Sequence, residues 1–392
     1  MIELKGKRNS AIIFADKVDK QTKTQIASLL REECYSDSKI RIMPDTHSGK
    51  GVAVGTTMTL SGRVNPALVG VDIGCGMEVV LLDESTVDLE RLNKAVHASV
   101  PAGAGIHDIP RADFDFEELI CKSSVDQIRA LRSLGTLGGG NHFIELDRTS
   151  RGELVLVIHS GSRQLGSDVA LYYRDAAYRY QCKKLRGRTK HSHYERESED
   201  YRCKAIRRED KKPLDIKRDD AIAEGELFEN YLNDISIVTQ FADLNRKTIA
   251  ALICDAMGFN IKDRFSCIHN YIDTEHMILR KGAISARLGE RVIIPLNMRD
   301  GAIIGTGLGN PDWNFSAPHG AGRACSRTDA KYAFTLEEYQ RQMSGIYTTT
   351  ATLGSIDECP MAYKAPERIL DFIKDTVCIE EIIKPVYNFK SC

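Results

Sequence analysis

A chain of 392 residues that is 42% hydrophobic and 28% charged can bury a large core, which excludes disorder for most of its length. Its formal net charge of -1 excludes a uniformly basic or acidic protein, yet the charge is unevenly spread. Between Arg174 and Arg218 there are 16 Lys and Arg against 8 Asp and Glu, a surplus of +8, so the rest sums to -9 (-1 - 8), and this local basic segment suits an acidic partner.

The first residues, MIELKGKRNSAIIFADKV, scatter charge through a short apolar run and do not form a signal peptide. No stretch reaches the roughly 18 apolar residues of a membrane-spanning helix, so a cytoplasmic protein with no membrane partner is expected. The chain has 11 cysteines, an odd number, widely scattered and never in CxxC, so reduced thiols are expected, some of them as ligands.

In chain order, KIRIM, VAVGTTM, MEVVLL and LVLVI have the length and β-branched content of buried strands, and each abuts a turn-rich polar stretch. Between them VDLERLNKAVHASV and FEELICKSSVDQIRALRSL carry helical patterns. From about 164 to 257 the pattern is almost wholly helical, with breaks expected near Thr189 to His193 and at Pro213, and this arm holds the basic surplus. Length alone would permit two or three domains. No internal repeat and no Pro- or Ser-rich linker divides the chain, however, so the expected fold is one α/β body over 1–392 with an inserted helical arm.

The chemistry-bearing residues cluster at glycine-rich junctions. GVDIGCGM sets Asp72 and Cys75 three residues apart, a ligand spacing, on a backbone that glycine leaves free. LGTLGGGNHFIEL presents Asn141, His142 and Glu145 after a flexible loop, and VLVIHSGSR ends an apolar strand on His159. His269 follows in CIHNY and His319 in SAPHGAGR. A single His at a strand end is more often structural, and a single Cys is more often a small core residue. Repetition shifts the balance: Cys75, His142, His159, His269 and His319 all sit beside Gly, Ser or Asn clusters, whereas His97, His191 and His193 do not. A metal centre is therefore expected; softness alone ranks Zn first, with Mn and Co behind, and a thiolate can bridge two ions. A metal pair suggests phosphate chemistry. Phosphate binding by a Walker loop is excluded, because Pro44 stands where the first glycine would be needed, and no KxDG lysine nucleophile is present.

Taken together, MPDTHSGKGVAVG, GVDIGCGM, LGTLGGGNHFIE, HSGSRQLG, HNY, RKGAISAR and SAPHGAGRACSR resemble, in order, the motifs of the RtcB family of RNA ligases. MAYK near Met361 and a C-terminal lysine extend the likeness to nearly the whole chain. The resemblance implies an RtcB-like fold of mixed sheets and surrounding helices. It implies an enzyme that joins RNA ending in a 2′,3′-cyclic phosphate or 3′-phosphate to RNA with a 5′-hydroxyl, using GTP and two Mn²⁺ ions. His319 would be the nucleophile that carries GMP. One metal would be held by Asp72, Cys75 and His142, the other by Cys75, His159 and His269. The nucleotide would be met by Asn141, Phe143, Glu145, Asn270, Pro295, Leu296, Asn297, Met298, Gly320, Ala321, Gly322 and Lys390, and RNA phosphates by Arg163 and Arg323. A monomer is expected, with RNA and an accessory activator protein as partners.

Where many members carry PGSMG, this sequence has PLNMRDG, residues Pro295 to Gly301, and Ala302 replaces a common serine. A divergent bacterial-type paralogue for RNA repair, rather than the tRNA-splicing form, is the expectation. Two alternatives stand beside it: a metal-dependent RNA-end phosphoesterase or cyclic phosphodiesterase without ligation, and a non-catalytic RNA-binding module relying on the basic arm.

Overall fold

The computed structural model describes residues 1–197 and 217–391, with side chains described outside 186–216. Two sheets dominate. A six-stranded sheet runs in the order Ile2–Lys5, Ser10–Ile13, Ile40–His47, Val54–Thr59, Ile278–Lys281, Asn270–Asp273. A seven-stranded sheet runs Ile261–Ile268, Gly76–Leu82, Leu154–Ser160, Phe143–Arg148, Val377–Lys390, Gly301–Gly307, Arg291–Asn297. Their paired strands are antiparallel except Ser10–Ile13 with Ile40–His47. The protein is thus a mixed α/β body; MEVVLL and LVLVI lie wholly in strands, KIRIM from Ile40 and VAVGTTM from Val54.

LVLVI lies in the interior of the seven-stranded sheet and every residue of Leu154–Ser160 is buried. Val155 and Val157 enter one core, Leu154, Leu156 and Ile158 the other. With both faces covered, a strand needs no polar alternation, which is why this run reads as continuously apolar.

Two long helices follow. Arg163–Glu197 continues past Thr189 to His193, where a break was expected; Pro213, the second expected break, lies outside the described residues. Most of the basic segment's side chains lie outside them too. Glu226–Met257 begins after Gly225 and ends at Gly258, a left-handed cap at φ 73° whose N–H returns to the Cys254 carbonyl. Its first half packs Phe228, Tyr231, Ile235, Val238 and Phe241 against the six-stranded sheet's core. Its second half packs Ile249, Ile253 and Met257 behind the seven-stranded sheet. Most of this helix therefore belongs to the body. Among the described residues, no helix is long and apolar enough to cross a membrane, and no cysteine is in a disulfide.

FEELICKSSVDQIRALRSL is helical only over Gln127–Ser133, after a 3-10 turn at Lys122–Ser124. The buried Asp234 carboxylate takes the N–H groups of Ile120 and Cys121 at 2.8 and 3.0 Å. Asp126 then caps a fresh start by accepting from the Arg129 N–H. A tertiary acceptor here outcompetes local periodicity.

Between the apolar halves of Glu226–Met257 sit Asn245 and Arg246, both wholly buried. Asn245 Oδ1 accepts the N–H groups of Gly135 and Thr136 at 2.8 and 3.1 Å, while its Nδ2 donates to Thr136 O, Ser160 Oγ and Gly161 O. Arg246 Nη1 donates to Gly74 O and Ser160 O at 2.8 and 3.1 Å. The backbone segments beside Asp72, Cys75, His142 and His159 are thereby tied to one helix turn. Asn245→Ala leaves several buried groups without partners, each worth about 1–3 kcal/mol. Urea unfolding should show a loss of about 3 kcal/mol or more, and Asn245→Asp a loss at least as large, because its second carboxyl oxygen would face the Thr136 and Gly161 carbonyls in a buried site.

Candidate active site

Four neighbouring strands of the seven-stranded sheet end at one edge, each with a ligand-type side chain. His269 follows Ile261–Ile268, Cys75 precedes Gly76–Leu82, His159 lies in Leu154–Ser160, and His142 precedes Phe143–Arg148. Antiparallel pairing puts the start of each strand beside the end of the next, and the register aligns Ile268 with Gly76, Gly76 with Ser160, and Phe143 with His159.

Cys75 Sγ lies 3.3 Å from Nε2 of both His142 and His159. His159 Nε2 is 3.4 Å from His269 Nε2, and His142 Nε2 is 3.0 Å from Asp72 Oδ2. The donor atoms form two groups, Asp72 with Cys75 and His142, and Cys75 with His159 and His269, each within 4.8 Å; Cys75 belongs to both. The Asp72 loop approaches so closely that a Cβ at Gly161 would lie 2.0 Å from Asp72 Oδ1, which requires glycine there.

Proton positions are constrained by partners. His159 Nδ1 faces the Asn141 carbonyl at 3.1 Å; a carbonyl only accepts, so Nδ1 carries the hydrogen and Nε2 offers a lone pair. Burial pushes His159 and His269 well below the usual imidazole range, which favours the ligating neutral form. Burial and the nearby Asp72 charge push the Cys75 thiol well up, while Asp72 stays low despite burial because His142 hydrogen-bonds it. Imidazole lone pairs crowded around one buried sulfur are a poor arrangement by themselves and a good one around cations, which would deprotonate the thiol outright. The residues fit a metal pair.

His319 stands beside this cluster, its ring centroid 4.9 Å from that of His269. Its Nδ1 lies 2.6 Å from Oδ2 of Asp45, which is wholly buried. Donation to Asp45 leaves the Nε2 lone pair free. A Cβ at Gly322, at φ 74°, would fall 2.1 Å from the Asp45 carbonyl oxygen, so this close loop approach also requires glycine.

A cavity of about 740 Å³, including its open mouth, lies on the His159 and His319 side. Its walls include Asn141, Phe143, Glu145, Pro295, Leu296, Asn297, Met298, Gly320, Ala321, Gly322 and Lys390, eleven of the twelve positions expected at the nucleotide. Asn270 is absent from this wall: its Oδ1 accepts the Gly282 N–H at 3.0 Å. The PLNMRDG turn is held by Asn297, whose Oδ1 accepts from the backbone of Arg299 and Asp300, an Asx turn in place of glycine. Lys390 Nζ lies 2.7 Å from Glu358 Oε2 and over the Phe143 ring, 5.6 Å from its centroid. Glu358 also receives Arg323, Arg327 and Tyr363. Burial would raise its carboxyl, but Lys390 and Arg327 hold it at about 2. Arg323 lines the cavity with its three nitrogens on Glu358, Asp357 O and Cys325 O.

A second cavity of about 720 Å³ opens on the Asp72 and His142 side and is lined also by Arg129, Arg163, Gln164 and Ser167. Arg163 opens the long helix in a left-handed conformation, φ 56°, and donates to Thr136 Oγ1 and Gly103 O. Those partners are neutral, so its charge is left to the cavity.

A family model described as tRNA-splicing ligase RtcB matches residues 34–127 and 117–391. The chain belongs to the RtcB family. Curated relatives include RNA-splicing ligase RtcB1 and RNA-splicing ligase RtcB of two Escherichia coli strains, each 30% identical with 90% of both chains covered. Another is tRNA-splicing ligase RtcB of Aeropyrum pernix, 25% identical over 92% of this chain and 90% of its own.

Sequence reading missed Asp45, Glu358, Asn388, Arg327, Tyr363, Asn245 and Arg246. Asp45 lies inside the quoted MPDTHSGKG, but nothing local shows that it meets a residue 274 positions away. Arg246 sits in a helical pattern and reads as a solvated charge.

Cys75→Ala should abolish binding of both ions after loading with a divalent transition metal, whereas His269→Ala should keep about one ion per chain on the Asp72 side. Elemental analysis reads the difference, and unchanged stoichiometry in Cys75→Ala refutes the bridge.

Proposed function

We propose that this protein is a GTP- and Mn²⁺-dependent RNA ligase that joins 2′,3′-cyclic phosphate or 3′-phosphate ends to 5′-hydroxyl ends. The observation that carries the reading is His319: a histidine aimed by a buried carboxylate, at the seam between a two-metal donor set and a cavity of nucleotide size. The names of the relatives support the RNA substrate.

Asp72, Cys75 and His142 would hold one ion and Cys75, His159 and His269 the other. Bound there, the ions supply neutralisation of phosphate oxygens. Mn rather than Zn is the working metal in this reading, although donor softness alone favours Zn. His319 Nε2 attacks the α-phosphorus of GTP, forming a P–N bond as pyrophosphate leaves, while Asp45 retains the Nδ1 proton. The GMP then passes to the RNA 3′-phosphate, and the 5′-hydroxyl displaces it. A cyclic end is opened by hydrolysis first. An attack in line with departing GMP must come from the face opposite the nucleotide cavity. The second cavity, lined by Asp72 and His142 rather than by His319, carries Arg129 and Arg163 and would take the 5′-hydroxyl strand. We place the reaction in the cytoplasm, carried out by a monomer, with an accessory activator as a protein partner.

The deciding experiment is incubation with GTP labelled at the α-phosphate. A covalent GMP adduct on His319 should form, be lost in mild acid and persist in base, as a P–N bond requires. His319→Ala should lose the adduct, keep its metal, and still seal RNA whose 3′ end is already activated with guanylate. No adduct on wild type, with cyclic ends still opened, would leave the phosphoesterase.

A second measurement addresses RNA. Arg129→Glu should weaken binding of 5′-hydroxyl RNA and lower the salt slope by roughly 0.7 for each phosphate the protein no longer neutralises. Adduct formation should be unchanged. Reversing four Lys or Arg between Arg174 and Arg218 tests the basic segment by the same salt slope.

A further inference from the structure

The strand Phe143–Arg148 alternates cleanly. Ile144 and Leu146 face one core, and Phe143, Glu145 and Asp147 share the other face. Phe143 and Glu145 line the first cavity. Asp147 continues that face into the core and is wholly buried, yet no hydrogen-bond donor reaches either carboxyl oxygen. Its register partners are Val155 on one neighbouring strand and Pro385, which has no N–H, on the other.

A carboxylate without donors in such a place is costly, so the group is the acid. Burial and the charge of Glu145 both push Asp147 up; burial also pushes Glu145 up, to about 7, against the opposing pull of hydrogen bonds from Asn388 and Asp147 and the charge of Lys390, so a donor from Asp147 is what tips Glu145 towards its ionised form. The acid form has one O–H to donate, and the Glu145 carboxyl faces it. Glu145 Oε2 already accepts from Asn388 Nδ2 at 2.7 Å. The charged groups facing the pair are Lys390 and Lys384 of the final strand; the partners on Leu154–Ser160 are Val155 and Val157.

We propose that Asp147, in its protonated form, is a positioning residue for nucleotide choice. It donates to Glu145, keeping that carboxylate ionised and accepting only, so that it selects a base edge presenting two N–H donors, as guanine does and adenine does not. This rests on the nucleotide reading of the first cavity.

The test is equilibrium binding of GTP, inosine triphosphate and ATP, with Mn²⁺, to the full chain as wild type, Asp147→Asn and Asp147→Leu. The Asn amide still donates, so Asp147→Asn should keep the wild-type preference for GTP over ATP. In Asp147→Leu, Glu145 keeps only Asn388, takes up a proton and becomes a donor. Its preference for GTP over both other nucleotides should fall by about tenfold or more, with metal content unchanged. A merely structural Asp147 would move stability and leave the ratios alone. Unchanged ratios in Asp147→Leu overturn the inference alone, and so does a loss in Asp147→Asn as large as in Asp147→Leu. If the Leu variant does not fold, Asp147→Ala, which equally lacks an O–H to donate, is read by the same ratios. Wild type that binds no GTP overturns the nucleotide reading and this inference together.

Discussion

The hydrogen-bond register of four antiparallel strands is the constraint on which the site depends. Neighbouring strands lie about 4.8 Å apart and reverse direction. A residue just before one strand therefore meets a residue at the end of the next. His269, Cys75, His159 and His142 occupy such positions on four strands in a row. Only at this spacing do short side chains bring their Nε2 and Sγ atoms to 3.3 and 3.4 Å. A slip of one residue in any strand would turn its ligand to the opposite face. The apolar alternation of Leu154–Ser160 between two cores resists such a slip.

Register alone does not fix loops, and three of the ligand-bearing segments are loops. Asn245 and Arg246 supply what the ladder lacks, fixing the backbones of Gly74, Gly135, Thr136, Ser160 and Gly161 from one buried helix turn. A buried guanidinium is expensive unless its donors are used. Here Nη1 has two carbonyls, Asp243 lies 3.6 Å from Nη2 as a charge partner, and Nε and Nη2 are buried without a hydrogen bond. The outlay in desolvation is what rigidity at the metal donors costs.

How much of this was legible depended on the range of the interaction. Strands such as LVLVI could be read because burial on both faces leaves a local signature. The donor set could be read because glycine-flanked Cys and His recur, and their grouping into two triads came from family likeness rather than from spacing. Asp45, Glu358 and Arg246 act through partners 274, 32 and 172 residues away, a separation on which local periodicity is silent. The shortened helix at Gln127–Ser133 failed for the same reason, its competitor Asp234 lying more than 100 residues on. Asn270 lies beside the ligand-type His269, with its Oδ1 on the Gly282 N–H and outside the wall of the first cavity; a motif names a neighbourhood, while the wall of a cavity is decided by where each side chain turns.

The two cavities hold their cations differently. In the first, Lys390, Arg323 and Arg327 gather on Glu358, with Asp357 also on Arg327, so three cations meet two carboxylates and a positive surplus remains. Such a wall can offer directed hydrogen bonds and still attract a phosphate. On the other side Arg163 is held by neutral oxygens in a left-handed backbone that a non-glycine residue adopts at a cost. Its charge is thus available to a phosphate, and it stands at the positive end of a long helix. Asp72 in the same cavity offsets part of this charge through space, and what remains beside the donor set can attract a phosphate. The donor cluster reaches both cavities, contributing His159 to the first and Asp72 and His142 to the second.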